Sequence, residues 1–586
     1  MKKVRVVRKA LAKFLNLKLS LFTYQRGGAT RKSSKATKRE TSTAPQATYT
    51  YDVSDVPTEL WAHIGTFSSR QSLARLCSAS QEFHSRFSPL LYGSIIDPPL
   101  NASQSSALIT ALSSPEAPGQ LHPAARIQQL SLSDGRFDSR SSQAIKSQRQ
   151  AVLDLLKNMY TGPNGLVMNG SVLRVLHWDL PAGLDDLGRI MGVPGRFPNL
   201  RELAVSTTGT NNNFNFIQIG GLEVLKFTLV LDIYDISYDA GNKLCYRLAE
   251  ALQMLPLSSP LLRTLQLKLC ICFDEEEFPY PGLTDLVDSI NLVHLPALTT
   301  LDLSVDLPPN MEQFPDGPPD HYLPAVNFSP FLASHPTLLN LTLSASGTKL
   351  KEDSSFLPCL RFFNGSFEDA VFICAAQRAL ETLVLTFIKP EWSFDWPEFC
   401  TLPLEGHLSL TSLRVLAIDS EGSAQKLTNE LSPASLAQLA ASFPNLTHLD
   451  ICISGPLKKY RKTISTLTKL ESLKIQEYRT TICTHFECYP GDRCSGPKRR
   501  ATKVFPSAEY AKELSLFLPA LSKVASIEIT ILGDHIYQFD DDPDVLFEPP
   551  QMEVNYHFSV VRRSGDKTKI VVNHARVVSD TRHCTC

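Results

Sequence analysis

Twelve times between Ile127 and Ile529 the chain returns to one six-residue pattern, apolar-x-x-apolar-x-apolar. It reads IQQLSL from Ile127, LRVLHW from Leu173, LRELAV from Leu200, LEVLKF from Leu222, LRTLQL from Leu262 and LTTLDL from Leu298. It continues as LLNLTL from Leu338, LETLVL from Leu380, LRVLAI from Leu413, LTHLDI from Leu446, LESLKI from Leu470 and a degenerate VASIEI from Val524. Successive starts lie 46, 27, 22, 40, 36, 40, 42, 33, 33, 24 and 54 residues apart. One such strand cannot bury its own apolar edge. A chain that repeats it must stack the copies, so the expectation is a solenoid in which each unit buries its apolar residues on its neighbours.

The segments between strands read as helices on the outer side. Ser329-Pro330 and Ser432-Pro433 look like N-cap and first-turn pairs, each followed by about three turns and then Pro336 or Pro444. Other helical stretches are CYRLAEALQML from Cys245, EDAVFICAAQRAL from Glu368 and AEYAKELSLFL from Ala508. The repeating unit is therefore strand, loop, helix, with the strands parallel and side by side. Residues 305–327 and 477–508 read as inserts that loop out. After the last repeat, Val554, Tyr556, Phe558 and Val560 alternate, and Ser564-Gly565-Asp566 turns the chain toward Ile570 and Val572. This predicts a β-hairpin closing the end of the stack.

Period-two geometry assigns the faces. The apolar positions enter the core, and the residues between them face the concave side. Gln266, Lys268, Asp302, Thr342, Val384, His448, Asp450, Lys474 and Gln476 are predicted to line that open face. All of these but Val384 are the candidate substrate-binding residues. The mixture has no single charge sign, which favours a protein partner over nucleic acid. A merely solvated face, with loops making the real contacts, is the competing reading.

A different texture precedes the repeats. Residues 1–39 hold thirteen Lys or Arg and no acid, and a Ser/Thr-rich linker follows. The reading that needs least is a solvated tail. A nuclear address at Arg31-Lys32 and Lys38-Arg39, a presequence and a membrane-surface helix are its rivals. From residue 55 runs DVPTELWAHIGTFSSRQSLARLCSASQEFHSRFSPLLYGSI. Pro57 and Glu59 suit a first helical turn, and Leu60, Ile64 and Phe67 then form one stripe with Trp61 beside it. A second stripe carries Leu73, Leu76, Cys77, Ser80, Phe83, His84 and Phe87. Pro89 is expected to stop that helix, with Leu90-Leu91-Tyr92 extended. About forty residues of helix bury too little to stand alone.

The spacing of Val56-Pro57-x-Glu59-Leu60-Trp61-x-x-Ile64-x-x-Phe67, Leu73-x-x-Leu76-Cys77-x-x-Ser80-x-x-Phe83 and Pro89-Leu90-Leu91-Tyr92 resembles an F-box, particularly the variety abundant in fungi. The resemblance implies docking on the Skp-type adaptor of a cullin–RING ubiquitin ligase. The adaptor-binding residues it implies are Pro57, Leu60, Trp61, Ile64, Phe67, Leu73, Leu76 and Phe83. Ser68 departs from the pattern, standing where many members carry a second large apolar residue. The repeats in turn resemble the irregular leucine-rich-repeat regions that follow F-boxes in many fungal proteins. Such repeats commonly place Asn or Cys three residues after the last strand apolar residue. Here Thr208, Asp306, Ser346 and Ser454 stand there, so less regular turns are expected.

The expected architecture is α/β: a short N-terminal helical F-box-like module, then an irregular leucine-rich-repeat solenoid with parallel strands inside and helices outside. The expected divisions are a tail at 1–50, the module at 51–97, repeats at 98–535 and a hairpin cap with tail at 536–586. The function expected is substrate recognition for a ubiquitin ligase, with a ligase-independent interaction scaffold as the alternative. In that scaffold the front helices only cap the first repeat.

Chemistry of other kinds finds little support. The chain has no phosphate-loop signature, no His-Glu-x-x-His helix and no nucleophile elbow. No catalytic residues and no cofactor are expected. Of thirteen cysteines most stand singly in apolar runs, where cysteine acts as a small hydrophobe. With an odd count and no secretory leader read at the front, a reducing compartment, cytoplasmic or nuclear, is expected, and the six Asn-x-Ser/Thr sequons are read as chance. Cys483, His485, Cys488 and Cys494 are the one zinc candidate, but their spacing forms no paired knuckle. Free loop thiols or a disulfide are favoured there. Asp540-Asp541-Asp542 lacks the glutamate a calcium loop needs. A net charge of -1 gives no reason to expect nucleic acid, and no apolar run is long enough to span a membrane.

Overall fold

The fold is taken from a computed structural model, which describes residues 58–95, 102–113, 122–133, 142–161, 171–179, 184–193, 195–208, 213–232, 238–272, 281–306, 327–345, 357–366, 369–370, 373, 379–386, 409–416, 431–454, 456–482, 507–536, 551–562 and 568–579. The basic tail, Pro57, the 483–494 cysteine cluster and Asp540–Asp542 lie outside these residues. The chain divides into two compact units, Met1–His63 and Ile64–Cys586. The described part of the first is residues 58–63, the opening turns of helix α1 (Thr58–Thr66).

The second unit begins with two helices packed on each other, α2 (Arg70–Ala79) and α3 (Gln81–Gly93). The single helix expected over this stripe is broken at Ser80. That residue is extended, ends α2, and turns its Oγ to accept the Phe83 N–H at 3.1 Å, capping α3. Ser69 caps α2 in the same way through the Ser72 N–H. Nor does Pro89 stop a helix: α3 continues through Leu90, Leu91 and Tyr92 to Gly93. A proline inside a helix costs about 3 kcal/mol. The offset comes from packing, because Phe87 is fully buried and Tyr92 lies against the main core.

From there the chain builds one sheet in unbroken chain order. Its strands are β1 (Ser94–Ile95), β2 (Gln129–Ser133), β3 (Val175–Asp179), β4 (Glu202–Thr208), β5 (Val224–Asp232), β6 (Thr264–Cys272), β7 (Thr300–Asp306) and β8 (Asn340–Ala345). They are followed by β9 (Phe362–Gly365), β10 (Thr382–Thr386), β11 (Ser412–Leu416), β12 (His448–Ser454), β13 (Ser472–Ile482), β14 (Ser526–Ile536), β15 (Gln551–Arg562) and β16 (Thr568–Ser579). Every pairing from β1 to β14 is parallel. The last two are antiparallel and bring Tyr556 and Phe558 into the core as a closing hairpin.

A ladder of backbone bonds at the second pattern position fixes how each unit sits on the last. The Thr299 N–H bonds the Arg263 carbonyl at 2.9 Å, Leu339 bonds Thr299 at 2.8 Å, Arg361 bonds Leu339 at 2.9 Å and Glu381 bonds Arg361 at 2.8 Å. The same chain of bonds runs from Gln128 to Ala525. It corrects two readings of the sequence. Thr411 carries the ladder between Glu381 and Thr447, and Leu413 pairs with Leu383 and Leu449. The ninth pattern is therefore LTSLRV from Leu410, three residues before the position read. A further repeat, LRFFNG from Leu360, lies inside the apparent 42-residue gap. Its sixth position is Gly365, because the Phe363 ring fills that space. A Cβ there would stand 2.5 Å from Phe363 Cζ and 3.0 Å from the Leu343 carbonyl.

Pattern positions one, four and six feed one continuous core that reaches from Ile109 to Phe558. The other layer is built by α4 (Ala102–Ser113), α5 (Ser142–Tyr160), α6 (Leu184–Met191), α7 (Tyr238–Gln253), α8 (Leu255–Ser258) and α9 (Pro281–Leu292). It is completed by α10 (Ser329–Ala333), α11 (Pro433–Ser442), α12 (Arg461–Ile464) and α13 (Ser507–Phe517). Ser432 caps α11 as expected, accepting the Ser435 N–H. Ser329 does not cap α10; it is the first residue of a five-residue helix, and its N–H goes to Asn327 Oδ1. The stretch from Cys245 lies within a helix that begins earlier, at Tyr238. Of the stretch from Glu368, residues 369, 370 and 373 are described, and they are helical.

Buried side chains pin neighbouring units together on this side. Ser259 Oγ accepts the Leu222 N–H at 3.0 Å and donates to the Ile219 carbonyl at 2.8 Å. His335 Nε2 accepts the Leu295 N–H at 2.9 Å. Asn291 donates to the Asn327 carbonyl and accepts the Phe331 N–H. These bonds do for the helical side what the backbone ladder does for the strands.

Candidate functional site

Two surfaces carry the residues singled out from the sequence. The first is the front stretch. Leu60 is 52% exposed and Phe67 72% exposed, a large cost in uncovered apolar area. Trp61 and Leu73 are instead buried, and Ile64, Leu76 and Phe83 are half-buried. Leu73 thus belongs to packing within the chain and not to an outward stripe. Ser68 has a local role: its Oγ donates to the Ile64 carbonyl at 2.7 Å, finishing the helix end.

Helix α3 and strand β1 are also tied to the first repeat. The Arg126 guanidinium donates to Ser88 Oγ, the Gln128 N–H reaches the Gly93 carbonyl at 3.0 Å, and Ser94 Oγ donates to Gln129 Oε1 at 2.8 Å. Burial pushes the Cys77 thiol up, against the pull of the Arg126 charge. A thiol so placed is a packing group rather than a nucleophile.

The second surface is the sheet's polar face. Positions three, five and seven of each pattern form three rows across it, set by the register. Gln266, Asp302 and Thr342 stand side by side in the fifth-position row, and Asp450 and Lys474 are neighbours further along it. Lys268 and Gln476 belong to the next row, and His448 to the row before. Most are half-exposed and His448 is exposed, as the alternation predicts. Val384 and Asp450 are exceptions, at 4% and 5% exposed.

Charge on this face is paired rather than pooled. Glu202 accepts from Lys226 Nζ at 2.9 Å and from His177 Nε2 at 3.2 Å. Ala204 lies between His177 and Lys226 in register, and its small side chain leaves Glu202 room to reach both. Burial raises the Glu202 carboxyl, but the hydrogen bonds and charges of Lys226 and His177 outweigh it and hold the group below the usual range. Further along, Arg414, Asp450, Lys474 and Glu528 alternate in sign on four successive strands. Arg414 Nε meets Asp450 Oδ2 at 3.4 Å, and Lys474 Nζ meets Glu528 Oε1 at 3.8 Å. Burial pushes the Asp450 carboxyl up, while Lys474 and Arg414 pull it down. Its Oδ1 is buried with no hydrogen-bond partner among the described residues.

Sequence reasoning named Asp450 and Lys474 but not His177, Glu202, Lys226, Arg414 or Glu528. Four of these five sit at the fifth pattern position, so the signal was present in the repeat itself. Pairing of charges at strand spacing leaves these clusters without a single sign of charge. Among the described residues, no group of three His, Cys, Asp or Glu could hold a metal ion. No helix among them is long and apolar enough to cross a membrane. Comparison with models of known protein families and with curated proteins finds no match.

Proposed function

We propose that the chain is a binding protein without chemistry of its own, a substrate-recognition adaptor of a cullin–RING ubiquitin ligase. In this reading the F-box-like stretch docks on the Skp-type adaptor, and the leucine-rich-repeat solenoid holds a protein client on its polar face. Ligation is supplied by the other subunits, and the chain acts by raising the local concentration of client lysines. The observation that carries the proposal is the exposure of Leu60 and Phe67 within a stretch whose spacing resembles a docking module. Unbroken strand order with aligned apolar positions supports the solenoid half of the reading.

The second reading, a ligase-independent scaffold, is favoured by the ties from Arg126, Gln128 and Gln129 to Ser88, Gly93 and Ser94. A stack of repeats needs a cover at its end, and α2 and α3 supply one.

The test uses full-length chain carrying Leu60→Asp and Phe67→Asp. Both sites are exposed, so the variant should fold with an unchanged melting curve. Burying one such side chain against a partner is worth about 1.5–3 kcal/mol. The double change should therefore lower recovery of the Skp-type adaptor by about a hundredfold or more. Equal recovery by variant and wild type, or none by wild type, overturns the adaptor reading and leaves the scaffold.

A further inference from the structure

Between β12 and β13 the helical layer is carried by a 3-10 turn, Leu457–Tyr460, that runs straight into α12. Residues 455–470 hold five Lys or Arg and no acid. Four of the five, Lys458, Lys459, Arg461 and Lys462, fall in this one short run. Their apolar neighbours settle where they point. Leu457, Tyr460 and Ile464 are buried, and the Tyr460 hydroxyl donates to the Leu431 carbonyl at 2.6 Å, which pins the run to the preceding repeat. All four cations are left exposed.

Among the described residues, none of the four has an ion pair or a side-chain hydrogen bond. On the sheet's polar face, by contrast, Lys226, Arg414 and Lys474 each meet a carboxylate. The four cations stand three and four residues apart, a spacing at which like charges on a helical run repel. They also crowd its starting end, where the peptide dipoles favour anions. The elements on either side do not offset them. Helix α12 packs against both α11 and α13. Helix α11 has no charged residue and leaves Ala434, Ala437 and Ala441 exposed. Helix α13 adds exposed Lys512, half-buried Glu513, which pairs with none of the four, and Leu516 at 43% exposed.

We propose that this face of the helical layer docks an acidic peptide segment of another protein. Its carboxylates would lie against Lys458, Lys459, Arg461 and Lys462, and its apolar side chains against the alanines of α11 and Leu516. Because α11 carries no charge, the positive surface ends at that helix. It cannot follow the evenly charged backbone of a nucleic acid, which draws its affinity from many phosphates in line. Neutral and apolar flanks around a charged centre suit a polypeptide. The surface belongs to the helical layer, not to the sheet's polar face, and the proposal does not rest on the adaptor reading.

The experiment follows the fluorescence anisotropy of a labelled peptide of Glu, Ala and Leu titrated with full-length chain. A copy of the peptide with Gln for Glu and a labelled single-stranded oligonucleotide are run beside it, with co-sedimentation on phosphatidylserine vesicles. Wild type is compared with the quadruple variant Lys458→Gln, Lys459→Gln, Arg461→Gln and Lys462→Gln. A control variant, Arg174→Gln with Arg263→Gln, removes two exposed cations elsewhere. All the substituted sites are exposed, so the melting curves should match wild type. The acidic peptide is expected to bind wild type, less tightly as salt rises, and to bind the quadruple variant about tenfold or more weakly. The control variant should bind it as wild type does. No binding by wild type, equal binding of the Glu and Gln peptides, or a loss no larger in the quadruple than in the control variant overturns the proposal. So does tighter binding of the oligonucleotide or the vesicles that the same four substitutions abolish, which would assign the surface to phosphate groups.

Discussion

His335 offers a sharp test of how the repeats are pinned together. The ring is 1% exposed, stacked on Phe331 at 4.2 Å and 5.5 Å from the ring of His294. Its Nε2 accepts the Leu295 N–H at 2.9 Å, so its proton sits on Nδ1, which donates to the Phe331 carbonyl at 2.6 Å and also lies 2.9 Å from Ser334 Oγ. Burial holds its pKa below the ordinary 6.5, the Phe331 carbonyl opposing and the His294 charge adding to the effect. For a base with a depressed folded pKa, the unfolded chain binds the proton first. Stability is therefore complete above about pH 6.5 and is lost as the pH falls below it. At pH 5.5 the unfolded imidazole is about tenfold protonated, which costs the native state up to about 1.4 kcal/mol if His335 stays neutral. Gln at this position can still donate and accept but cannot titrate. Urea midpoints for wild type and His335→Gln, taken at pH 7.5 and 5.5, isolate the contribution of this one ring from that of the other histidines. Wild type should lose up to about 1.4 kcal/mol more than the variant over that interval. Parallel losses in the two proteins would refute the reasoning.

Two further outcomes follow from the packing and from the polar face. Gly365→Ala puts a methyl group against Phe363 Cζ and the Leu343 carbonyl, so it should destabilise by about 1–3 kcal/mol, and Phe363→Leu in the same chain should recover part of the loss. Additive losses in a double-mutant cycle would contradict that steric origin. Asp450→Asn mimics the protonated carboxyl that burial favours, so it should leave stability unchanged or raised at pH 7, with the difference from wild type shrinking toward pH 4. A loss above about 1 kcal/mol at pH 7 would mean that the pairing with Arg414 outweighs burial.

Strand existence and strand face were legible because both depend on a period of two and on leucine. What failed did so for identifiable reasons. The repeat at Leu360 was hidden because Phe363 takes the volume of its neighbour, leaving Gly365 where the pattern asks for an apolar residue. At Leu413, LTSLRVLAI contains the pattern in two registers three residues apart, and composition cannot choose between them. The hydrogen-bond ladder through Thr411 does. That slip also hid Arg414, which in the wrong register occupies a second position and in the right one faces Asp450. Pro89 misled because local propensity was trusted over the burial of Phe87 and the packing of Tyr92.

Docking and capping at the front of the chain are not exclusive, and the burial pattern separates them by residue. Leu73 and Phe87 are buried outside the continuous core of the repeats, so they form a small core of the front helices. That cluster is too small to stand alone. Arg126, Gln128 and Gln129 supply what it lacks, and through β1 the helices extend the sheet by one short strand. None of this uses Leu60 or Phe67, which a pure cap would have no reason to leave uncovered. A cap accounts for the first group of residues, and the proposed docking would account for the second.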